Sequence, residues 1–117
     1  MTNFVQPGDV IEFTAPSGGV VVGVPKQIGQ IVVVPTVTAA QTVKFNGCVT
    51  GVFDLPKIGS QAWAEGAVVF WDEGNDRCTT VGAGNIQIGI CTKAVGSGAG
   101  ETTGRVRLDG IGREQGT

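Results

Sequence analysis

The stretch that decides the fold is residues 49–71, which read VTGVFDLPKIGSQAWAEGAVVFW. It holds both tryptophans and two of the five phenylalanines of a chain that has no tyrosine. Val49, Phe53 and Leu55 alternate with polar residues, and a period of two is the pattern of a half-buried strand. Pro56 has no N–H to donate to a neighbouring strand, so the strand is expected to end there.

The second half of this stretch predicts a connection, another strand and a turn. Ser60 is of a helix-capping residue type, so one helical turn that carries Trp63 is expected after it. Residues 67–71 are apolar throughout, which predicts a strand covered on both faces. Residues 72–76, DEGND, are of types that favour a turn. The core is therefore expected to form around these two strands.

Short valine-rich runs, separated by glycine and proline, continue on both sides of this core. Asn46-Gly47 is the strongest two-residue hairpin signal, because both residue types tolerate positive φ. The cleanest alternation places Ile86, Ile88 and Ile90 on one face of a strand. Strands are also expected over residues 9–15, 19–24, 27–34, 42–45, 77–81 and 105–108. The sequence thus predicts an all-β fold: a small single-domain β-barrel or β-sandwich, β-tulip-like, with short strands and at most one helical turn.

Length and charge restrict the class of partner. A chain of 117 residues is one domain: it is large enough to bury a core and too small to form two domains. The net charge of −2 gives no basic face of the kind that nucleic acids require. No apolar run approaches the ~20 residues of a membrane span, and no signal peptide is visible at the start. We therefore expect no nucleic-acid partner and no membrane association.

The residue types needed for common catalytic and metal sites are missing or badly placed. The chain has no histidine, which removes the usual base of serine and cysteine triads and the commonest zinc ligand. Cys48, Cys78 and Cys91 are odd in number and widely spaced, which favours free buried thiols over a disulfide framework. No catalytic residue, cofactor or metal site is predicted.

The glycine-rich run 96–104, GSGAGETTG, superficially resembles a phosphate-binding loop. Such a loop needs a lysine after its last glycine, to reach the β and γ phosphates. Here Gly100 is followed by Glu101, whose charge would repel a phosphate. A hairpin loop is the better interpretation.

The charged residues leave two further candidates. The acidic turn 72–76 lacks the spacing of an EF-hand calcium loop, so a solvated turn is expected. Asp54 and Asp109 could be imagined as paired carboxylates, but nothing in the sequence brings them together. Arg105 and Arg107 share one face of the last strand. That face is either a solvated outer surface or a salt-bridging contact with a partner subunit.

Five motifs, taken together, resemble one protein family. They are FVQPGDVIEFTAPSGGV at 4–20, GVFDLPK at 51–57, EGAVVFWDE at 65–73, IGICTKA at 88–94 and VRLDG at 106–110. Their order and spacing look like those of the DUF2190 family, small tailed-phage and prophage proteins that are similar to capsid decoration or cement proteins. The resemblance covers nearly the whole chain.

The resemblance implies a virion protein on the outer surface of the capsid, made in the bacterial host cytoplasm. It would lock neighbouring copies of the major capsid protein together. It also implies a homo-oligomer placed on lattice symmetry points, a trimer before a dimer. It transfers no catalytic residue and no cofactor. Two alternatives stay open: another phage structural module (head-completion or tail-associated) and a nucleotide-dependent recombination factor.

The chain ends suggest how a capsid would be held. We expect an N-terminal arm over residues 1–8, a β domain over 9–110 and a C-terminal tail over 111–117. The arm residues assigned to capsid binding are Asn3, Phe4, Val5, Gln6 and Pro7. Strand addition to a neighbour would supply main-chain hydrogen bonds, with pockets for the apolar side chains. The alternative is that Phe4 folds back as a plug over one end of the barrel.

Overall fold

The computed structural model describes residues 9–112, and within them it contains nine strands and no helix. The strands are β1 (Val10–Thr14), β2 (Lys26–Ile28), β3 (Ile31–Pro35), β4 (Lys44–Cys48), β5 (Thr50–Pro56), β6 (Val68–Asp72), β7 (Arg77–Thr79), β8 (Ile86–Cys91) and β9 (Thr103–Asp109). The predicted all-β class is therefore confirmed.

The strands form two antiparallel sheets, and one of them curls almost into a closed barrel. The four-stranded sheet has the order β1-β4-β3-β2, and the five-stranded sheet has the order β5-β9-β8-β6-β7. Lys57, just after β5, forms a parallel bridge with Cys78 of β7. The amide of Ile58 donates to the carbonyl oxygen of Cys78 at 2.9 Å. These contacts join the two edge strands of the five-stranded sheet, so we call it the barrel.

The barrel interior contains four buried residues of the predicted core stretch, Leu55, Trp63, Val69 and Trp71, whereas Val49 of that stretch is buried in a different cluster. Trp63 and Trp71 are both buried and lie in one cluster with Leu55. The other buried members of this cluster are Val32, Val34, Val69, Cys78, Ile86, Ile88, Cys91, Val106 and Leu108. Apolar burial of this extent is the main stabilising contribution in a domain of this size.

Strand β3 lies between two cores and is covered on both faces. Val32 and Val34 belong to the barrel cluster. Val33 is fully buried in a second cluster that includes Phe45, and Phe45 in turn contacts Phe13, with ring centroids 6.1 Å apart. Because strand side chains alternate between faces, this single strand connects the four-stranded sheet to the barrel.

The predicted hairpin at Asn46-Gly47 is wrong, because both residues lie inside β4 and pair with β1. Gly47 is required there for space rather than for positive φ. A Cβ at this position would come within 3.1 Å of Val33 and 3.3 Å of the Phe45 ring. A glycine that lets two packed side chains approach the backbone gives the same sequence signal as a turn glycine.

Two other strand predictions need correction in the first third of the chain. Residues 19–24 form no strand; only Val20 is paired, in a single bridge with Ala39. Residues 27–34 are not one strand, because Gly29 adopts a φ of +62° and turns the chain between β2 and β3. A positive φ is easily adopted by glycine, which explains the break.

The central stretch also departs from its prediction at two points. Ser60 caps no helical turn; it has a φ of +59°, and Trp63 instead forms an antiparallel bridge with Val95. The strand at 67–71 is not covered on both faces, since Val68 is 42% exposed while Val69 and Trp71 are buried. The expected end of the first strand at Pro56 and the turn at 72–76 are confirmed.

Both ends of the described chain lie against Thr50 at the start of β5. The Asp9 carboxylate accepts a hydrogen bond from the Thr50 hydroxyl at 2.9 Å. Asp109 pairs with Thr50 across the β5–β9 ladder. A Cβ added to Gly110 would lie 2.9 Å from the Thr50 methyl carbon.

Candidate functional site

The outer face of the barrel carries a continuous row of exposed side chains that crosses four strands. Val52 of β5 pairs with Arg107 of β9, Arg107 pairs with Ile90 of β8, and Ile90 pairs with Val68 of β6. Val52 is 56% exposed, Val68 42% and Ile90 38%, and Arg107 is exposed as well. Directly opposed side chains on one sheet face lie about 5 Å apart, so these four residues form one surface. We call it the outer row.

Ile90 reaches the outer row because a β-bulge breaks the alternation of β8. The pairing between β6 and β8 shifts between Val69 and Phe70, which leaves Ile88 as the extra residue. A bulge puts two residues of one strand opposite one of its partner and reverses the faces beyond it. Ile86 and Ile88 are therefore buried and Ile90 is not, so the predicted single isoleucine face is wrong.

Arg105 and Asp54 form an ion pair beside the outer row. Arg105 Nε donates to Asp54 Oδ1 at 3.0 Å. This hydrogen bond holds the pKa of the Asp54 carboxyl below its usual range and raises the pKa of Arg105. Both side chains are about half exposed, so solvent screens the pair and its contribution to stability is small. Its role is to give the Arg105 guanidinium an ion-pair partner within its own chain.

Arg107 differs from Arg105 because it makes no ion pair or hydrogen bond with any side chain of residues 9–112. Its cross-strand neighbours are Val52 and Ile90, which are apolar. The prediction that Arg105 and Arg107 share an outward face is confirmed, since both are exposed while Val106 and Leu108 are buried. Arginine is one of the residue types enriched at binding hot spots, which makes the exposed Arg107 a candidate contact residue.

The carboxylates considered from the sequence do not form a site. Asp54 pairs with Arg105 and Asp109 with Thr50, at opposite parts of the β5–β9 ladder, so they are not a catalytic dyad. The turn at 72–76 is held by the Asp72 carboxylate, which accepts a hydrogen bond from Asn75 at 2.7 Å. Within residues 9–112 no group of three or more cysteine and acidic residues is placed to hold a metal ion.

The glycine-rich loop is attached to the barrel by a buried lysine that the sequence did not predict. Lys57 is 3% exposed, and its Nζ donates to the carbonyl oxygens of Ile58 at 2.8 Å and Glu101 at 3.2 Å. The ammonium also lies 5.4 Å from the centroid of the Trp63 ring, a favourable cation–π contact. Two carbonyl oxygens and an aromatic face explain how a lysine is accommodated there. Its role is to position the loop that ends at β9.

A second exposed apolar surface lies on the loops that flank the four-stranded sheet. Val21, Val22, Val24 and Val37 are each between 49% and 54% exposed. The amide of Val22 donates to the Thr38 hydroxyl at 3.1 Å, which holds the two loops together. We call these four residues the valine loops.

The three cysteines are free, as predicted, and two of them are fully buried. Cys78 and Cys91 belong to the barrel core, and Cys48 is partly buried beside it. Burial raises the pKa of the Cys78 thiol to about 12, which keeps it protonated and unreactive. The predicted arm residues Asn3–Pro7 lie outside the described residues.

Comparison with known proteins identifies the family. A family model described as phage cement protein matches residues 5–108. The chain belongs to the phage cement protein family. This confirms the predicted likeness to phage cement proteins and gives the chain a structural function in decorating a phage capsid; the DUF2190 name is not part of the match. No curated protein and no solved structure matches the chain. Within the described residues, no helix has the length and hydropathy to cross a membrane.

Proposed function

We propose that this cement protein binds the outer surface of a phage head and stabilises the lattice of the major capsid protein. The family match over residues 5–108 is the observation that carries this proposal. A protein that binds the assembled lattice, and not its dissociated subunits, stabilises the lattice by mass action. The protein would be made in the host cytoplasm and would act in the virion, without a cofactor and without enzymatic activity.

The N-terminal arm is the proposed capsid contact. Residues 1–8 would form this arm, 9–110 the β domain and 111–117 a tail. The arm residues Asn3, Phe4, Val5, Gln6 and Pro7 would add to an exposed strand edge of the capsid protein. Support comes from the fold: Asp9, the first described residue, is exposed and accepts a hydrogen bond from Thr50.

The proposed assembly is a homo-oligomer, with a trimer favoured over a dimer. The outer row supports this proposal, because a contiguous exposed apolar surface marks an interaction site. Closed rotational symmetry lets one kind of contact repeat until no surface is left open. Sites on a capsid lattice that have the same symmetry would accept such a ring.

Deletion of residues 2–7 tests the capsid contact. Purified protein is added to heads that lack decoration, the bound copies are counted, and the heads are then heated until DNA is released. The full-length protein is expected to saturate the heads and to raise the release temperature. The deletion variant is expected to remain folded with an almost unchanged melting temperature and to bind no heads.

A matched variant separates the arm from the rest of the surface. Val22→Ser changes an exposed residue of the valine loops and is expected to bind heads like the parent protein. If the deletion variant still saturates heads, or if it loses several degrees of stability in isolation, the arm proposal is wrong. If Val22→Ser then fails to bind heads, the valine loops hold the capsid. If the full-length protein binds no decoration-free heads, the cement proposal itself fails.

A further inference from the structure

One end of the four-stranded sheet extends past the barrel and exposes the face that elsewhere packs against it. Val34, Cys48 and Val10 lie side by side on β3, β4 and β1, and the first two contact the barrel core. On this same face, β1 carries exposed polar residues two and four positions from Val10, and β4 carries them two and four positions from Cys48. We call this surface the shelf, and its residues are Val10, Glu12, Thr14, Lys44 and Asn46.

The shelf carries an acidic and a basic group in a diagonal arrangement. Glu12 pairs with Asn46, and Thr14 pairs with Lys44, so Glu12 and Lys44 are diagonal neighbours. Neither charge makes an ion pair within residues 9–112, where the Arg105–Asp54 contact is the one salt bridge. Glu12 also lies two residues from Val10, which is 43% exposed on the same face.

The outer face of the barrel presents the opposite charges with the same spacing. Val52 pairs with Arg107 and Asp54 with Arg105, so Asp54 and Arg107 are diagonal neighbours. Diagonal pairs in an antiparallel ladder are ~7–8 Å apart, whichever sheet they belong to. If the two faces meet, Glu12 can therefore approach Arg107 while Lys44 approaches Asp54.

We propose that the shelf of one copy binds the outer row of a second copy, with Glu12 of the first against Arg107 of the second. Val10, two residues from Glu12 on the same face, then packs at the aliphatic border of Arg107. Apolar contact around a desolvated charge pair excludes water and strengthens the pair. This interface rests on the proposed homo-oligomer and names the surfaces that form it.

The interface is heterologous, because the shelf and the outer row are different surfaces. Each copy gives its shelf to one neighbour and its outer row to another, which produces a closed ring when the rotation between neighbours closes and an open filament when it does not. A ring consumes both surfaces of each copy. The valine loops take no part in this contact, so they stay available to another partner.

Charge reversal tests the interface. Glu12→Arg and Arg107→Glu each place like charges together, and each is expected to weaken self-association by roughly 10- to 100-fold. Both residues are exposed, so the variants are expected to fold, and Glu12→Gln and Arg107→Gln serve as milder changes. The double variant Glu12→Arg/Arg107→Glu restores opposite charges in the interface and is expected to recover the parent mass. Sedimentation velocity over a concentration series measures each dissociation constant.

A control variant and particle binding decide between this interface and other contacts. Lys26→Glu lies on β2, at the opposite edge of the four-stranded sheet from β1, and makes the same change of net charge as Arg107→Glu; it is expected to leave the mass unchanged. The proposal is overturned if the parent protein is monomeric, if the single reversals keep the parent mass, or if the double variant associates no more tightly than the single variants. Single reversals that keep the parent mass but lose head binding would assign the outer row to the capsid instead. If the parent protein does not bind heads, the cement function is refuted, but the measured self-association still supports the interface between copies.

Discussion

Gly104 gives the most direct test of the barrel core. It is buried at the start of β9, beside the Trp63 ring. A Cβ added there would lie 2.8 Å from Cε3 and 2.9 Å from Cη2 of the ring, with Cζ3 closer still. Carbon atoms are ordinarily at least ~3.5 Å apart. The ring or the strand must therefore move by close to an ångström or more in Gly104→Ala.

Trp63 cannot move freely to make this space. Its backbone exchanges two hydrogen bonds with Val95, both at 2.9 Å. Its indole N–H donates to Gln61 Oε1 at 2.8 Å, and the Lys57 ammonium lies against the ring. Overpacking a core in this way costs about 1–3 kcal/mol. For a domain of this size we expect a fall in melting temperature of about 5 to 15 °C.

Gly100→Ala is the matched control, because a Cβ at Gly100 meets no atom within 4 Å. Its melting temperature is expected to equal or slightly exceed that of the parent protein, since alanine restricts the unfolded chain. Both variants are compared by calorimetry and by tryptophan fluorescence in denaturant. If Gly104→Ala melts within a degree of Gly100→Ala, the packing of Trp63 on β9 is not as described. In a Trp63→Leu background the cost of Gly104→Ala should largely disappear, since the clash is with the indole ring.

Three further outcomes are expected. Trp71→Ala empties a fully buried site and should lower the free energy of unfolding by ~3–5 kcal/mol, out of the ~5–15 kcal/mol typical of a small domain. Soluble protein with a melting temperature near that of the parent would contradict the placement of the core. A thiol reagent at neutral pH should modify Cys48 in the folded protein and reach Cys78 and Cys91 only after unfolding; rapid labelling of all three without denaturant would be the contrary result. Burial raises the pKa of the Cys78 thiol from its ordinary value of 9.0 to about 12. The unfolded chain therefore loses this proton first, so the stability contributed by Cys78 is complete below pH 9 and is lost as the pH rises toward 12. Denaturant unfolding at several pH values should show a smaller alkaline decline in Cys78→Ala.

The sequence predicted most reliably where a strand keeps one period throughout. In Thr103–Asp109, exposed and buried residues alternate without interruption, so the outward direction of Arg105 and Arg107 followed from the pattern alone. In Ile86–Cys91 the same reasoning failed at Ile88. The bulge there depends on how β6 pairs with β8. The register between two strands cannot be predicted from the sequence of one strand alone.

Glycine was the other source of error, because one residue type serves several purposes. Gly47 looked like half of a hairpin turn, and its true role is to let Val33 and Phe45 approach the backbone. Gly29 does form a turn, but within a run that looked like a single strand. The outer row could not be predicted from the sequence, since Val52, Ile90 and Val68 become neighbours only through the strand order of the barrel.

Asp9 and Gly110 both lie beside Thr50, which makes the β domain between them nearly circular in its connectivity. Asp9 and Gly110 are bridged by one residue, so a short linker between them would close the chain without displacing a strand. A circular permutant could then be opened elsewhere, for example in the exposed loop at residues 96–100. Domains with adjacent ends and solvated loops commonly tolerate this rearrangement. A peptide fused to the new ends would be displayed on the loop that precedes β9. The residues that now lie beside Thr50 would be joined by the linker inside a continuous chain.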